Sequence, residues 1–189
     1  MSQSRNKVRI IGGEYRRRLL PFPDAEGLRP TPDRVRETLF NWLGQDLYGK
    51  NCLDLFAGSG ALGFEAASRS ARRVVMVEKS RKAHESLQAN RQLLQAGALD
   101  VQSGDALLYL KNSREQFDVI FLDPPYDSDL LEQALPLLLP RLAEEGMVYL
   151  EARLWPEQLP EGLELVRRDK AGLVQYGLLR RVAAAPVLL

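Results

Sequence analysis

The sequence predicts an α/β fold in which helices cover both faces of a mostly parallel, seven-stranded sheet. From residue 51 onward, short apolar segments alternate with longer segments in which apolar residues recur at helical spacing. This alternation is typical of βαβ units, whose strands are parallel and whose helices lie on the faces of the sheet. Two last apolar segments, joined by the turn 169–172, predict an antiparallel pair at one edge of the sheet.

The chain before residue 51 predicts a β-hairpin followed by a helix. Residues 8–11 and 15–20 lie on either side of a Gly-Gly dipeptide, which favours a tight turn. Thr31 is the candidate N-cap of the helix, and Pro32 suits the first helical position. We therefore expect a basic hairpin arm over residues 1–30, a main domain over 31–182 and a short apolar tail over 183–189.

The remaining elements follow from the alternation of apolar patterns. The strands are expected at 51–56, 73–77, 99–102, 117–122, 146–151, 163–166 and 173–179. The helices are expected at about 60–69, 80–95, 105–111 and 128–143.

Composition narrows the class of protein. The chain has 189 residues, 45% of them apolar and 27% charged, which is typical of one globular domain. The single cysteine, Cys52, lies in an apolar run, so we expect a buried thiol and no internal disulfide. One cysteine and one histidine predict no metal site. No apolar run reaches the roughly 20 residues of a membrane span, so we expect a cytoplasmic protein that binds no membrane.

Positive charge is concentrated at the start of the chain. Residues 1–36 carry a net charge of +5, whereas the remaining residues carry −4. A basic segment on a mildly acidic body suggests that a polyanion such as RNA docks on one side. The candidate RNA-binding residues are Arg9, Arg16, Arg17, Arg18, Arg29, Arg34 and Arg36.

A glycine-rich loop follows the first strand of the main domain. Gly58 and Gly60 permit a close approach of a ligand to the backbone, and the next helix directs its free N–H groups towards that ligand. Glu78, at the end of the second strand, is placed to accept the hydroxyls of a ribose. The candidate cofactor residues are Asp54, Phe56, Ala57, Gly58, Gly60, Glu78, Asp105 and Ala106, with Asp105 a candidate acceptor for an adenine amino group.

The glycine loop by itself fits two kinds of cofactor. Its spacing matches the dinucleotide fingerprint, with an acidic residue about 20 positions further on. Asp54, however, lies inside the first strand, where a carboxylate suits the ammonium and sulfonium of S-adenosylmethionine better than a pyrophosphate. An NAD-dependent oxidoreductase therefore remains the alternative to a methyltransferase.

The tetrapeptide Asp123-Pro124-Pro125-Tyr126 ends the apolar strand 117–122. Because proline cannot donate to a sheet, the strand stops there, and the residue before a proline is held extended. The resulting rigid turn presents a carboxylate, free carbonyls and an aromatic ring. These groups can hold a planar amino group and stack on its heterocycle, so the four residues are the candidate catalytic residues.

Together these motifs resemble the Rossmann-like, class I methyltransferases that act on amino groups of nucleobases. Two further blocks, at residues 9–20 and 29–41, are similar to the bacterial small-subunit ribosomal RNA guanine-N2 methyltransferases; Arg17 stands where that family carries a glycine. The resemblance implies S-adenosylmethionine as cofactor. As substrate it implies a guanine of 16S ribosomal RNA in the small ribosomal subunit, contacted by a monomer beside neighbouring ribosomal proteins.

Two further alternatives stay open at this point. An adenine-N6 methyltransferase acting on DNA or RNA would share the tetrapeptide, although such DNA enzymes usually carry a target-recognition insertion that is absent after Tyr126. A non-enzymatic ribosome-assembly factor would tolerate a damaged glycine loop or catalytic turn, and both motifs are intact here.

Overall fold

The computed structural model describes residues 6–183 and contains a two-stranded hairpin followed by a seven-stranded sheet with helices on both faces. The strands are β1 (Lys7–Arg9), β2 (Leu19–Pro21), β3 (Asn51–Asp54), β4 (Arg73–Glu78), β5 (Leu99–Ser103), β6 (Phe117–Leu122), β7 (Leu142–Ala152), β8 (Leu163–Ala171) and β9 (Val174–Arg181). The helices are α1 (Asp33–Trp42), α2 (Ala61–Ser68), α3 (Arg81–Leu94), α4 (Ala106–Asn112) and α5 (Leu130–Leu138), and a 3₁₀ turn covers Leu139–Arg141.

The strand order of the large sheet is β5-β4-β3-β6-β7-β9-β8. Strands β3 to β7 are parallel, and β9 runs antiparallel to both β7 and β8. The predicted fold class is thereby confirmed, including the antiparallel pair at one edge. Because β6 lies directly beside β3, their carboxyl ends meet at the same edge of the sheet, as the adjacent positions of Asp54 and Phe121 show.

Two apolar clusters fill the two faces of the sheet. Successive strand residues point to opposite faces, and accordingly Cys52 belongs to one cluster and Leu53 to the other. The first cluster is covered by the hairpin, α1, α2 and α3, and the second by α4 and α5. Cys52 is fully buried, and desolvation raises the pKa of its thiol to about 12, which confirms a structural rather than a nucleophilic cysteine.

Several element boundaries differ from those expected. The last predicted helix, 128–143, ends at Leu138, and β7 begins at Leu142 instead of residue 146. Pro140 lies in the 3₁₀ turn that follows α5 and has no N–H to extend the helix, although α5 accommodates Pro136 in its interior. Strand β3 ends at Asp54, two residues early, because the chain turns at once into the glycine loop.

The N-cap prediction for α1 is wrong. The helix begins at Asp33, Pro32 takes the cap position, and no side chain caps the first turn. The hydroxyl of Thr31 instead lies 3.4 Å from Glu151 and 3.5 Å from Asp123, at the sheet edge. Thr31 therefore belongs to the site described below and not to the helix.

The hairpin is docked on α2 and α3. Its strands are shorter than expected, and Arg17, in the turn between them, has a positive φ of 71°. A glycine is favoured at such a position, which explains the family pattern from which this sequence departs. Val8 and Ile10 pack in the same cluster as the sheet, so the division expected after residue 30 does not separate two cores. The tail predicted at 183–189 lies, beyond its first residue, outside the described residues.

In residues 6–183, none of the helices is long and apolar enough to span a bilayer.

Candidate active site

A cavity of about 750 Å³ lies at the carboxyl ends of the parallel strands. In open α/β sheets, ligands bind at this edge, where the strand order reverses, and a volume of this size suits a small-molecule ligand. The cavity brings together most of the predicted site residues, from both the glycine loop and the predicted catalytic turn, residues 123–126, called the catalytic turn below. These are Asp54, Phe56, Ala57, Gly58, Glu78, Asp105, Ala106, Asp123, Pro124, Pro125 and Tyr126.

The glycine loop is held in place by Glu78. One carboxylate oxygen accepts the N–H of Gly58 at 2.7 Å, and the other accepts the N–H of Ser80 at 2.8 Å. Gly58 has a positive φ of 54°, which allows the chain to turn under the cavity. Each oxygen of Glu78 has a further lone pair, so the carboxylate can also accept a ligand hydroxyl.

Gly60 is not among the described residues that line the cavity, and its contact with a cofactor stays a prediction. It has a φ of 84°, and a Cβ atom there would lie 2.3 Å from the ring of Phe64. The residue is therefore required for the turn into α2 and for packing of the helix. The sequence pattern could not separate this requirement from ligand binding, since both demand glycine.

Asp54 lies buried beneath the glycine loop. One of its oxygens accepts the N–H of Gly63 at 3.0 Å. Burial raises the pKa of Asp54 to about 7; the bond from Gly63 lowers it, and Glu78 raises it. A cationic ligand group beside Asp54 would favour its ionised form.

Asp105 also has a structural role as the N-cap of α4. It caps α4, where one oxygen accepts the N–H of Leu108 at 3.0 Å, and the second oxygen lies 3.7 Å from Nζ of Lys79. The side chain still lines the cavity.

The catalytic turn faces the cavity beside Asp54. Burial, Glu151 and Asp54 together raise the pKa of Asp123 well above its usual range. The hydroxyl of Tyr126 donates to Glu151 at 2.5 Å, and the guanidinium of Arg153 lies 5.1 Å from the centre of the tyrosine ring. The ring orientation is thus fixed at both its hydroxyl and one face.

Two parts of the site were not identified from the sequence. Glu151 is the last residue but one of β7, which pairs with β6, and it is only 3% exposed. Its position at a strand end was the available signal, the same signal that identified Glu78. The second part is segment 25–32, which lines the cavity and places Leu28 against Gly58; it carries no pattern that predicts this contact.

The predicted RNA-binding arginines fall into three groups. Those on the hairpin and at the start of α1 are exposed, and Arg29 is exposed at the wall of the cavity. Arg36 is the exception and must be removed from the set, since it is 1% exposed. Its guanidinium pairs with Asp33 at 2.6 Å and with buried Glu65 at 3.2 Å. The exposed arginines are Arg9, Arg16, Arg17, Arg18, Arg29 and Arg34.

Comparison with known proteins agrees with this geometry. The chain is 42% identical to a protein of Escherichia coli named ribosomal RNA small subunit methyltransferase D, over 94% of this chain and 91% of the relative. The protein of the same name from Haemophilus influenzae is also 42% identical, over 93% and 94% of the two chains. A solved structure from E. coli, titled as a methyltransferase, superposes with a TM-score of 0.87 at 42% identity, covering 95% of this chain and all of that one.

The family match extends over nearly all of the described chain. Residues 8–180 match the family described as conserved hypothetical protein 95, and this range includes the docked hairpin, the glycine loop and the catalytic turn. The fold, the cavity at the sheet edge and the relatives all agree with the resemblance predicted from the sequence. The chain therefore belongs to the conserved hypothetical protein 95 family, together with relatives named as small-subunit ribosomal RNA methyltransferases.

Proposed function

We propose that the protein uses S-adenosylmethionine to methylate the N2 amine of a guanine in 16S ribosomal RNA of the small ribosomal subunit. The observation that carries this proposal is the adjacency of the catalytic turn after β6 and Asp54 at the end of β3, in one cavity. A methyl donor held over β3 and an amine held by the turn would meet there.

The residues around the glycine loop fit the cofactor by their chemistry. Asp54, which is buried, would accept the ammonium of the methionine moiety, and Glu78 would accept the ribose hydroxyls with its remaining lone pairs. Asp105 would accept the adenine amino group, with Phe56, Ala57 and Ala106, which line the same cavity, around the ring. When bound, S-adenosylmethionine supplies a methyl group made electrophilic by its sulfonium.

The catalytic turn would hold the amine for attack. The exocyclic amine of guanine is a weak nucleophile because its lone pair is delocalised into the ring. Asp123 and the carbonyl of Pro124 would accept its two hydrogens and orient the lone pair towards the methyl carbon, and such positioning is worth several kcal/mol. Tyr126 would stack on the base, a contact worth about 1–3 kcal/mol.

The basic surface would bind the RNA around the target base. A paired guanine cannot enter the cavity, so the nucleotide must leave its stack first. Arg29, at the wall of the cavity, would contact a phosphate close to the target base. The exposed arginines of the hairpin and Arg34 would contact phosphates further along the RNA, because the hairpin tip lies at the C-terminal ends of α2 and α3. Phosphate contacts carry no sequence information, so the choice of guanine would depend on RNA shape and on neighbouring ribosomal proteins.

The test is methyl transfer to small ribosomal subunits from cells that lack the gene. We expect Asp123→Ala to abolish transfer while the affinity for S-adenosylmethionine, measured by calorimetry, changes little. Asp127→Asn is the matched control, since this neighbouring carboxylate is 95% exposed and pairs only loosely with Arg153 at 3.7 Å. Mass spectrometry of the product identifies the modified atom.

N2-methylguanine in that product would support the proposal. N6-methyladenine would instead favour the adenine alternative, and near-normal transfer by Asp123→Ala would contradict the assigned role of the turn.

A further inference from the structure

Glu151 is a buried carboxylate next to the catalytic turn. Its two oxygens lie within hydrogen-bonding distance of three hydroxyl groups, each from a different part of the site. These are Tyr126 at 2.5 Å, Tyr149 at 2.9 Å and Thr31 at 3.4 Å. Burying a carboxylate is costly unless hydrogen-bond donors replace the lost water. The three hydroxyl groups are such donors, and they stabilise the buried carboxylate of Glu151.

The bond to Tyr126 constrains the ring that would stack on the substrate. Glu151 holds the hydroxyl, and Arg153 lies over one face of the ring. Burial, followed by the bond to Glu151, raises the pKa of Tyr126, so the phenol keeps its proton and donates a hydrogen bond to the carboxylate. Removing Glu151 would free the ring to rotate about the turn.

Thr31 links Glu151 to the other carboxylate of the site. Its single hydroxyl lies 3.4 Å from Glu151 and 3.5 Å from Asp123, so it bridges the two acidic groups. The acidic groups facing Asp123 are Glu151 from β7 and Asp54 from β3, and the nearby Arg153 lies over the Tyr126 ring. A negative Glu151 therefore makes it more favourable for Asp123 to take up a proton.

We propose that Glu151 is a positioning residue for methyl transfer, which orients the Tyr126 ring and makes Asp123 the acceptor of the proton that the amine releases. The inference rests on the proposed function. In the step itself, the amine nitrogen forms a bond to the methyl carbon as the carbon–sulfur bond breaks and sulfur keeps the electron pair. The excess proton on nitrogen then passes to the Asp123 carboxylate.

The decisive variant is Glu151→Gln, which keeps the shape of the side chain and removes its charge. With ribosomal subunits as substrate, we expect kcat to fall at least about tenfold while the KM for S-adenosylmethionine changes less than about twofold. We also expect the acid limb of the pH profile of kcat to move to lower pH, since Asp123 loses a neighbouring negative charge.

Asp169→Asn is the matched control. Asp169 is a carboxylate on β8 that also accepts a tyrosine hydroxyl, from Tyr176 at 3.2 Å, but it lies outside the cavity lining. We expect this variant to keep the wild-type pH profile.

If Glu151→Gln does not fold, Tyr126→Phe and the pair Thr31→Val and Thr31→Ser carry the test. Tyr126→Phe removes only the hydroxyl bond to Glu151, and we expect a lower kcat with unchanged cofactor affinity. Thr31→Ser keeps the bridging hydroxyl and should restore the activity that Thr31→Val loses.

The outcomes separate this inference from the proposed function. An unchanged kcat and pH profile in Glu151→Gln, with only a lower melting temperature, would overturn the role of Glu151. If Asp123→Ala is inactive at the same time, the proposed function stands and only the role of Glu151 is lost. Normal transfer by both variants would overturn both.

Discussion

Arg36 is predicted from the sequence to contact RNA, but in the folded protein it has a structural role. It lies in the basic N-terminal segment but is buried, and its guanidinium donates to the carbonyls of Arg9 and Thr31 as well as to its acidic partners. It thereby ties the hairpin, the segment that lines the cavity and α1 to Glu65 of α2. A cation with this many buried partners holds elements together and is not available to a phosphate.

We expect Arg36→Met to lower the free energy of unfolding by about 3–5 kcal/mol, because it leaves buried Glu65 without one of its partners. Urea denaturation measures this change. Arg34→Met is the matched control on the same helix; Arg34 is exposed, and we expect a change within about 0.5 kcal/mol. Equal effects of the two substitutions would contradict a structural role specific to Arg36.

At the scale of elements, the hairpin is positioned by backbone contacts with the end of α2. Glu14 donates its N–H to the carbonyl of Ser68 at 2.8 Å, and Tyr15 donates to the hydroxyl of the same serine at 2.9 Å. Gly13 lies so close to this carbonyl that a Cβ atom would be 1.8 Å from the oxygen. The hairpin tip is therefore held rigidly against the C-terminal end of α2, and Arg18 also donates to the carbonyl of Leu93 near the end of α3.

We expect Gly13→Ala to cost about 1–3 kcal/mol more than Gly49→Ala, because only the first introduces a clash. Both glycines have similar positive φ angles, 78° and 76°, and nothing lies within 4 Å of a Cβ at Gly49. The pair therefore separates the contact from backbone strain. Denaturation measures the difference, and limited proteolysis between β1 and β2 should become faster in Gly13→Ala alone.

The docked hairpin also carries the exposed arginine cluster Arg16, Arg17 and Arg18. We expect replacement of all three by Gln to weaken binding of small-subunit RNA and to lower the slope of log affinity against log salt by about two. Affinity for S-adenosylmethionine should not change. The control for net charge is a variant that replaces three exposed cations outside the cavity lining, Lys50, Lys111 and Arg114. Unchanged RNA affinity in the hairpin variant would exclude the arm from the RNA interface.

At the scale of the whole molecule, the topology gathers acidic groups at one edge of the sheet. The parallel order β5-β4-β3-β6-β7 brings Asp54, Asp123 and Glu151 to neighbouring strand ends. Parallel strands leave their carboxyl ends on one side, and the helices bury the side chains found there. This concentration of buried carboxyls should be visible in the pH dependence of stability.

Asp54 allows a direct test of this effect. Its pKa of about 7 in the folded protein exceeds the unfolded value near 3.9, so between about pH 4 and pH 7 the folded state binds more protons. The free energy of unfolding must therefore fall as pH rises through that window, by roughly 4 kcal/mol from this group. We expect Asp54→Asn to remove this part of the pH dependence, measured by urea denaturation at pH 5 and pH 8.

An identical pH dependence in the wild type and in Asp54→Asn would contradict a protonated Asp54 in the ligand-free protein. Asp100→Asn is the control, since this carboxylate is partly exposed and paired with Arg73.

The sequence by itself determined the fold class, the order of the elements and the part of the cavity lining that comes from the glycine loop and the turn after β6. Apolar periodicity is a local property, and it located the strand Phe117–Leu122 to the residue. The residues that follow strands, such as Glu78 and Asp123, could be assigned to the site because the parallel order brings strand ends together.

Only the tertiary structure decided the roles of Arg36, Thr31 and Glu151. Each of these side chains has at least one partner distant in the sequence: Thr31 and Glu151 are 120 residues apart, and Arg36 pairs with Glu65 across 29 residues. A polar residue has the same appearance in a sequence whether it faces water or a buried partner. The choice depends on the long-range packing that brings the N-terminal segment against the ends of β6 and β7, and no local pattern encodes that packing.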